Sequence, residues 1–96
     1  MTHEAHVVAC EASADGWHCR VVISEGAGAT EHDVSVERED LADLAPGATP
    51  EALVAESFRF LLEREPRESI LRSFTLPTIG RYFADYPLEM RSRLSR

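Results

Sequence analysis

Cys10 and Cys19 are the residues of this 96-residue chain with the clearest capacity for chemistry, followed by four histidines and a glycine-rich segment, Gly26-Ala27-Gly28-Ala29-Thr30. The two cysteines fall in neighbouring segments of alternating polarity, on the same face of each. A cross-strand disulfide, or a metal shared with His32, is therefore geometrically conceivable. Neither cysteine has a second one within the short spacing that structural zinc sites use, and a cytosolic chain keeps buried thiols reduced. The expectation is two free, buried thiols packing as small apolar residues, with a disulfide as the alternative. His3 and His6 lie close together near one end, and His18 and His32 face opposite ways, so all four read as surface or rim histidines.

The glycine segment lacks the lysine and the immediately following helix that cradle a phosphate, and reads as a hairpin loop. No Gly-x-Ser-x-Gly elbow is present, and any Ser/His/Asp or Cys/His set would draw on residues that alternate to opposite sheet faces. Glu37, Glu39, Asp40 and Asp43 read as a solvated acidic rim. No catalytic residue, metal ligand or cofactor is expected.

Composition bounds the rest. With 44% hydrophobic and 28% charged residues the chain is globular in class, and its length leaves room for one domain, residues 1–96. No apolar run is long enough to cross a bilayer, and MTHEAHVVAC lacks the basic and apolar regions of a secretory signal, so a cytoplasmic protein is expected. The formal charge is −7, split as about −8 over residues 1–48 and about +1 over residues 49–96. An acidic front half repels a polyanion, which makes nucleic acid a poor partner for it. All ten basic residues are arginine.

The elements that must position these residues follow from periodicity. His6 to Ala12 and Trp17 to Ser24 are extended runs separated by a turn containing Asp15-Gly16, a strong hairpin signal. Alternation places Val8, Cys10 and Ala12 on one face with Trp17, Cys19, Val21 and Ile23, and a two-residue turn would set Glu11 across from Arg20. Thr30 to Glu37 alternates as a third strand. Arg38 to Ala45 is a short helix stopped by Pro46-Gly47. Thr49 then caps a main helix, Pro50 to Glu65, burying Leu53, Val54, Phe58, Leu61 and Leu62, with Phe60 off the stripe. Short helices are expected at Arg67 to Phe74, Leu76 to Ala84 and Leu88 to Leu94, the last ending in Arg91, Arg93 and Arg96. The fold class is α+β: a three-stranded antiparallel meander (6–37), a helical cover (38–65) and short C-terminal helices (66–96).

The order strand (His32 to Val36), short helix (Arg38 to Ala45), turn and longer helix (Pro50 to Glu65) resembles the ribbon-helix-helix modules of bacterial repressors and antitoxins. That resemblance implies DNA reading by the strand's outward side chains, which here are Glu31, Asp33, Ser35 and Glu37. The run Ser57 to Pro66, continued by Ser69-Ile70-Leu71 and Arg81-Tyr82-Phe83, looks like short uncharacterised bacterial proteins, which implies a bacterial origin and no site.

The functional expectation is a small non-catalytic interaction or adaptor protein, self-associating as a homodimer or binding a protein partner. An antitoxin-like regulator and a small-ligand binder or enzyme are the alternatives. The expected interface is Leu76 to Leu94, where Tyr82, Phe83, Tyr86, Leu88, Met90 and Leu94 are interleaved with Arg81 and Arg91, the residue types that interfaces enrich. The acidic front half of a second copy is the expected counter-surface.

Overall fold

A computed structural model of the chain describes residues 4–95. Strands β1 (Glu4–Ala12), β2 (Gly16–Glu25) and β3 (Gly28–Glu37) form the expected antiparallel meander. A fourth strand, β4 (Ser73–Thr75), adds in parallel to β3, so the sheet is four-stranded and mixed, in the order β1-β2-β3-β4. This corrects the three-stranded reading. Three residues are too few to show alternation, and a helix was expected over Arg67 to Phe74. Instead a 3₁₀ turn, Arg67–Ser69, leads into the strand. What recruits the segment is the free edge of β3: the Asp33 N–H donates to the Arg72 carbonyl at 2.7 Å. Helices α1 (Arg38–Leu44) and α2 (Pro50–Leu62) form the crossover that a parallel pair needs.

Two local features set the hairpin register. The β1–β2 loop is longer than an Asp-Gly pair, with Ala12 opposite Trp17, so Cys10 lies opposite Cys19, Glu11 opposite His18 and Ala9 opposite Arg20. Glu11 and Arg20 therefore do not pair; Arg20 approaches Glu31 on β3 at 4.0 Å. Gly16 is required at the β2 start, because a Cβ there would collide with the Val36 carbonyl. Between Val7 and Ala9 the register shifts by one residue, a β-bulge that turns Val8 outward. Val8 was expected in the core and is 56% exposed. At the other end, Gly26 (φ 60°) supplies the positive φ that a two-residue Gly26-Ala27 hairpin turn needs first.

Thr49 accepts the Ala52 N–H at 3.1 Å and Pro50 occupies the first turn, so α2 begins where its capping signals place it. Its apolar side covers the meander: Leu53, Val54, Phe58 and Leu61 join Cys19, Val21, Ile23, Val34 and Val36 in one buried cluster, with Trp17 and Leu62 at its margin. Phe60, expected off the stripe, is fully buried as well. The reason is a second layer: Phe83 and Tyr86 pack edge-on to its ring at 5.9 and 5.4 Å. These come from the chain's last part, Phe83 at the end of α3 (Leu76–Tyr82) and Tyr86 at the start of α4 (Tyr86–Leu94). α4 starts two residues before the expected Leu88, with Pro87 tolerated in its first turn. Arg93 clamps α4 to α2 and its C-cap through Glu56 and Glu63 at 3.2 and 2.7 Å, and pairs with Glu89 of its own helix at 3.0 Å. Its hydrogen bond holds the Glu63 carboxyl below the ordinary carboxylate range.

Candidate functional site

Where α2 ends, the chain turns through Pro66, enters β4 and returns as α3, and these pieces enclose a groove of about 390 Å³. Its walls are mostly apolar: Leu61 from α2, Ile70 ahead of β4, Phe74 in β4, and Ile79 and Phe83 from α3 and its end, with Ser69 and Thr78 between them. Leu71 and Tyr82 stand at the rim, 48% and 70% exposed. They are two of the four large hydrophobic residues left exposed among the described residues, the others being Val8 and Leu88.

The Leu71 rim is anchored by His32, which was expected at the surface or rim but is carried into the interior by the inward side of β3. This imidazole is fully buried, lies against the Phe58 ring at 5.5 Å, and donates from Nδ1 to the Leu71 carbonyl at 2.7 Å. Its Nε2 then accepts from the Thr30 hydroxyl at 2.9 Å. Both ring nitrogens are satisfied by a neutral ring. Burial, opposed in part by the Leu71 hydrogen bond, lowers the His32 pKa.

One carboxylate enters this apolar surface. Glu65 lines the groove, and burial raises its pKa above the ordinary carboxylate value. Among the described residues it has no ion-pair or hydrogen-bond partner for its side chain. Glu11, Asp15, Asp33, Glu39 and Glu51 share that condition but are exposed to water, whereas Glu65 is half-buried. The arginines show the complementary pattern. Arg64, Arg67, Arg91 and Arg93 are tied to acids, and Arg38 lies over Trp17 and bonds the Ala14 carbonyl. Among the described arginines only the side chains of Arg72 and Arg81 lack an ion-pair, hydrogen-bond or ring partner. Each is the sequence neighbour of a rim residue, Leu71 and Tyr82.

The residues expected at an interface are divided by the fold. Tyr82, Leu88 and Arg81 face outward. Phe83 and Leu94 are half-buried against the core. Tyr86 and Met90 are interior: the Tyr86 hydroxyl meets Ser57 Oγ at 2.7 Å and Met90 Sδ lies 3.7 Å from the same oxygen. Arg91 reaches Asp43 of its own α1 at 3.0 Å, so attraction between the arginine-bearing segment and the acidic front half already acts within one molecule. Of the expected set, the groove gathers Phe83 and Tyr82, with Arg81 adjoining. It adds Glu65, Ile70, Leu71 and Phe74, which sequence reasoning missed. Glu65 carried a detectable signal: the sequence places it in the last turn of the main helix, where the dipole disfavours an acid, and the helix in fact stops short of it at Leu62.

The cysteines require a correction. Cys10 and Cys19, expected as free thiols, form a disulfide, with Cα atoms 4.0 Å apart. The longer hairpin loop places them directly opposite each other, where Cβ atoms come within bonding reach. His18 is exposed and hydrogen-bonds the Ser35 hydroxyl through Nδ1 at 3.1 Å, His6 is also exposed, and His3 and Arg96 lie outside the described residues. Among the described residues no three of His, Cys, Asp and Glu converge as metal ligands, and no helix is long and apolar enough to cross a membrane. No protein-family model, curated protein or solved structure matches the chain.

Proposed function

We propose that this is a non-catalytic interaction protein whose docking face is the groove at the end of α2, and that it takes up an apolar protein segment carrying a single arginine. One observation carries the reading: a half-buried, unpaired carboxylate in an apolar groove, in a chain whose other arginines of the same half are mostly committed to acids. An acid in that position destabilises the isolated fold, since burial penalises its charge. A cation delivered from a partner would remove the penalty and add a charge-assisted hydrogen bond. Leu71 and Tyr82 at the rim supply the apolar and aromatic contact that such interfaces favour.

The outward side chains of β3 and their neighbours, Glu31, Asp33 and Glu37, are exposed acids, which is unfavourable for a polyanion and supports a protein partner over DNA. Amide-detected NMR with the peptide Ac-Leu-Arg-Tyr-Leu-NH2 tests the proposal. Saturable shifts are expected at Glu65, Ile70, Leu71 and Ile79, with affinity weakened roughly tenfold by Glu65→Gln, the scale of one charge-assisted contact. An equal response to Ac-Leu-Glu-Tyr-Leu-NH2, or no saturable shift, rejects it.

A further inference from the structure

Taking the groove as a docking face, as proposed above, we infer that its occupant is a second copy of this chain, in a two-fold arrangement where Arg81 of each copy pairs with Glu65 of the other. A two-fold interface is isologous: if residue i of one copy meets residue j of its partner, then j meets i, so one patch must carry both a donor and its acceptor. This patch does. Glu65 sits within the groove with no partner of its own, and Arg81 stands exposed in the last turn of α3, likewise unpaired, next to the rim residue Tyr82.

The rest of the surface narrows the choice of occupant. At −7 the chain repels its own copies at long range, and that repulsion is weakest over the arginine-bearing C-terminal half where the groove lies. Among the described residues, the arginines beyond residue 48 other than Arg72 and Arg81 are bound to Glu56, Glu63, Glu68, Asp43 or Asp85 within the chain. Of the described arginines, Arg72 and Arg81 remain, and both adjoin the groove. With the two-fold axis beside Tyr82, the pair of Arg81 to Glu65 contacts flanks a centre built from two copies each of Tyr82 and Leu71. That centre covers the exposed apolar rim and shields the ion pairs from water, the layout of a desolvated hot spot inside a polar border.

Sedimentation velocity on the full chain across the micromolar range tests this, with near-ultraviolet circular dichroism confirming that each variant is folded. The wild type is expected to dimerise. Arg81→Glu, at an exposed position, and Glu65→Gln, which keeps side-chain size, should each weaken association by roughly tenfold or more. The swap Glu65→Arg with Arg81→Glu should recover a dimer that Arg81→Glu alone lacks. A wild type that stays monomeric to high micromolar concentration overturns the inference. So does a dimer indifferent to Arg81→Glu and Glu65→Gln, which must form elsewhere, and so does a folded swap variant that fails to recover. The peptide titration repeated on Arg81→Glu separates the two levels: peptide binding without self-association leaves the docking face standing with a heterologous partner, and neither result leaves nothing of it.

Discussion

His32, fully buried in β3, holds the carbonyl of Leu71, 39 residues further on, through a 2.7 Å hydrogen bond from Nδ1. This bond joins the interior of the sheet to the rim of the groove. It acts beside the Asp33 to Arg72 backbone bond that seats β4. Leu71 projects into water while its backbone is pinned from below, so the rim is presented on a rigid base.

Stability should depend on the His32 proton. Burial lowers the folded pKa beneath the ordinary value of 6.5, so the unfolded chain takes up a proton that the folded chain refuses. The contribution is fully present above about pH 6.5 and is lost as pH falls below it, toward the lowered folded value. Urea midpoints should decline between about pH 7 and 5.5, ahead of the main carboxylate titrations. His32→Gln should be less stable at neutral pH and show a flatter profile. Parallel profiles for the two proteins would contradict the assignment.

The Cys10–Cys19 bond closes a short hairpin loop and removes conformational freedom from the unfolded chain. Reducing it, or replacing both residues by serine, is expected to lower unfolding free energy by about 2 to 3 kcal/mol. Thiol counting should find no reactive thiol after denaturation without reductant and two after reduction. Two thiols in the unreduced denatured protein would refute the bond.

Ser57 and Tyr86 should respond asymmetrically. The Ser57 hydroxyl donates to the Leu53 carbonyl at 2.8 Å and can accept from the Tyr86 phenol at 2.7 Å, and all of this is buried. Tyr86→Phe leaves Ser57 with its carbonyl partner and should cost about 1 kcal/mol. Ser57→Ala strands a buried phenol and should cost about 1 to 3 kcal/mol. Chemical denaturation of both variants checks the order, and a larger loss from Tyr86→Phe would contradict it. Burial also raises the Tyr86 phenol pKa, so its ultraviolet titration should fall above the ordinary phenol range.

Phe58 lies between His32 and Phe74, with ring centroids 5.5 and 5.9 Å away, under the groove floor. Phe58→Ala is expected to cost about 3 to 5 kcal/mol, a large share of the stability of a small domain. A melting curve like that of wild type would place the core elsewhere.

Local patterns were enough for the meander, for α1, and for the start and buried stripe of α2. Alternation, the Thr49-Pro50 cap and the Pro46-Gly47 stop act over a few residues and need no knowledge of the rest of the chain. Nothing local distinguished Val8 from its alternating neighbours, and the bulge that expels it exists only because β1 must stay in register with β2. The loop that brings Cys10 opposite Cys19 is likewise a property of the pair of strands. β4, the burial of Phe60 and the burial of Tyr86 and Met90 were decided by tertiary structure: each depends on a surface presented by a remote segment, the β3 edge or the far side of α2. The groove has the same origin. Glu65, Leu71, Tyr82 and Phe83 span a region of sequence with two prolines and no common period, and only the return of α3 past the end of α2 sets an unpaired carboxylate among apolar walls, because charge pairing and burial are settled by proximity in space.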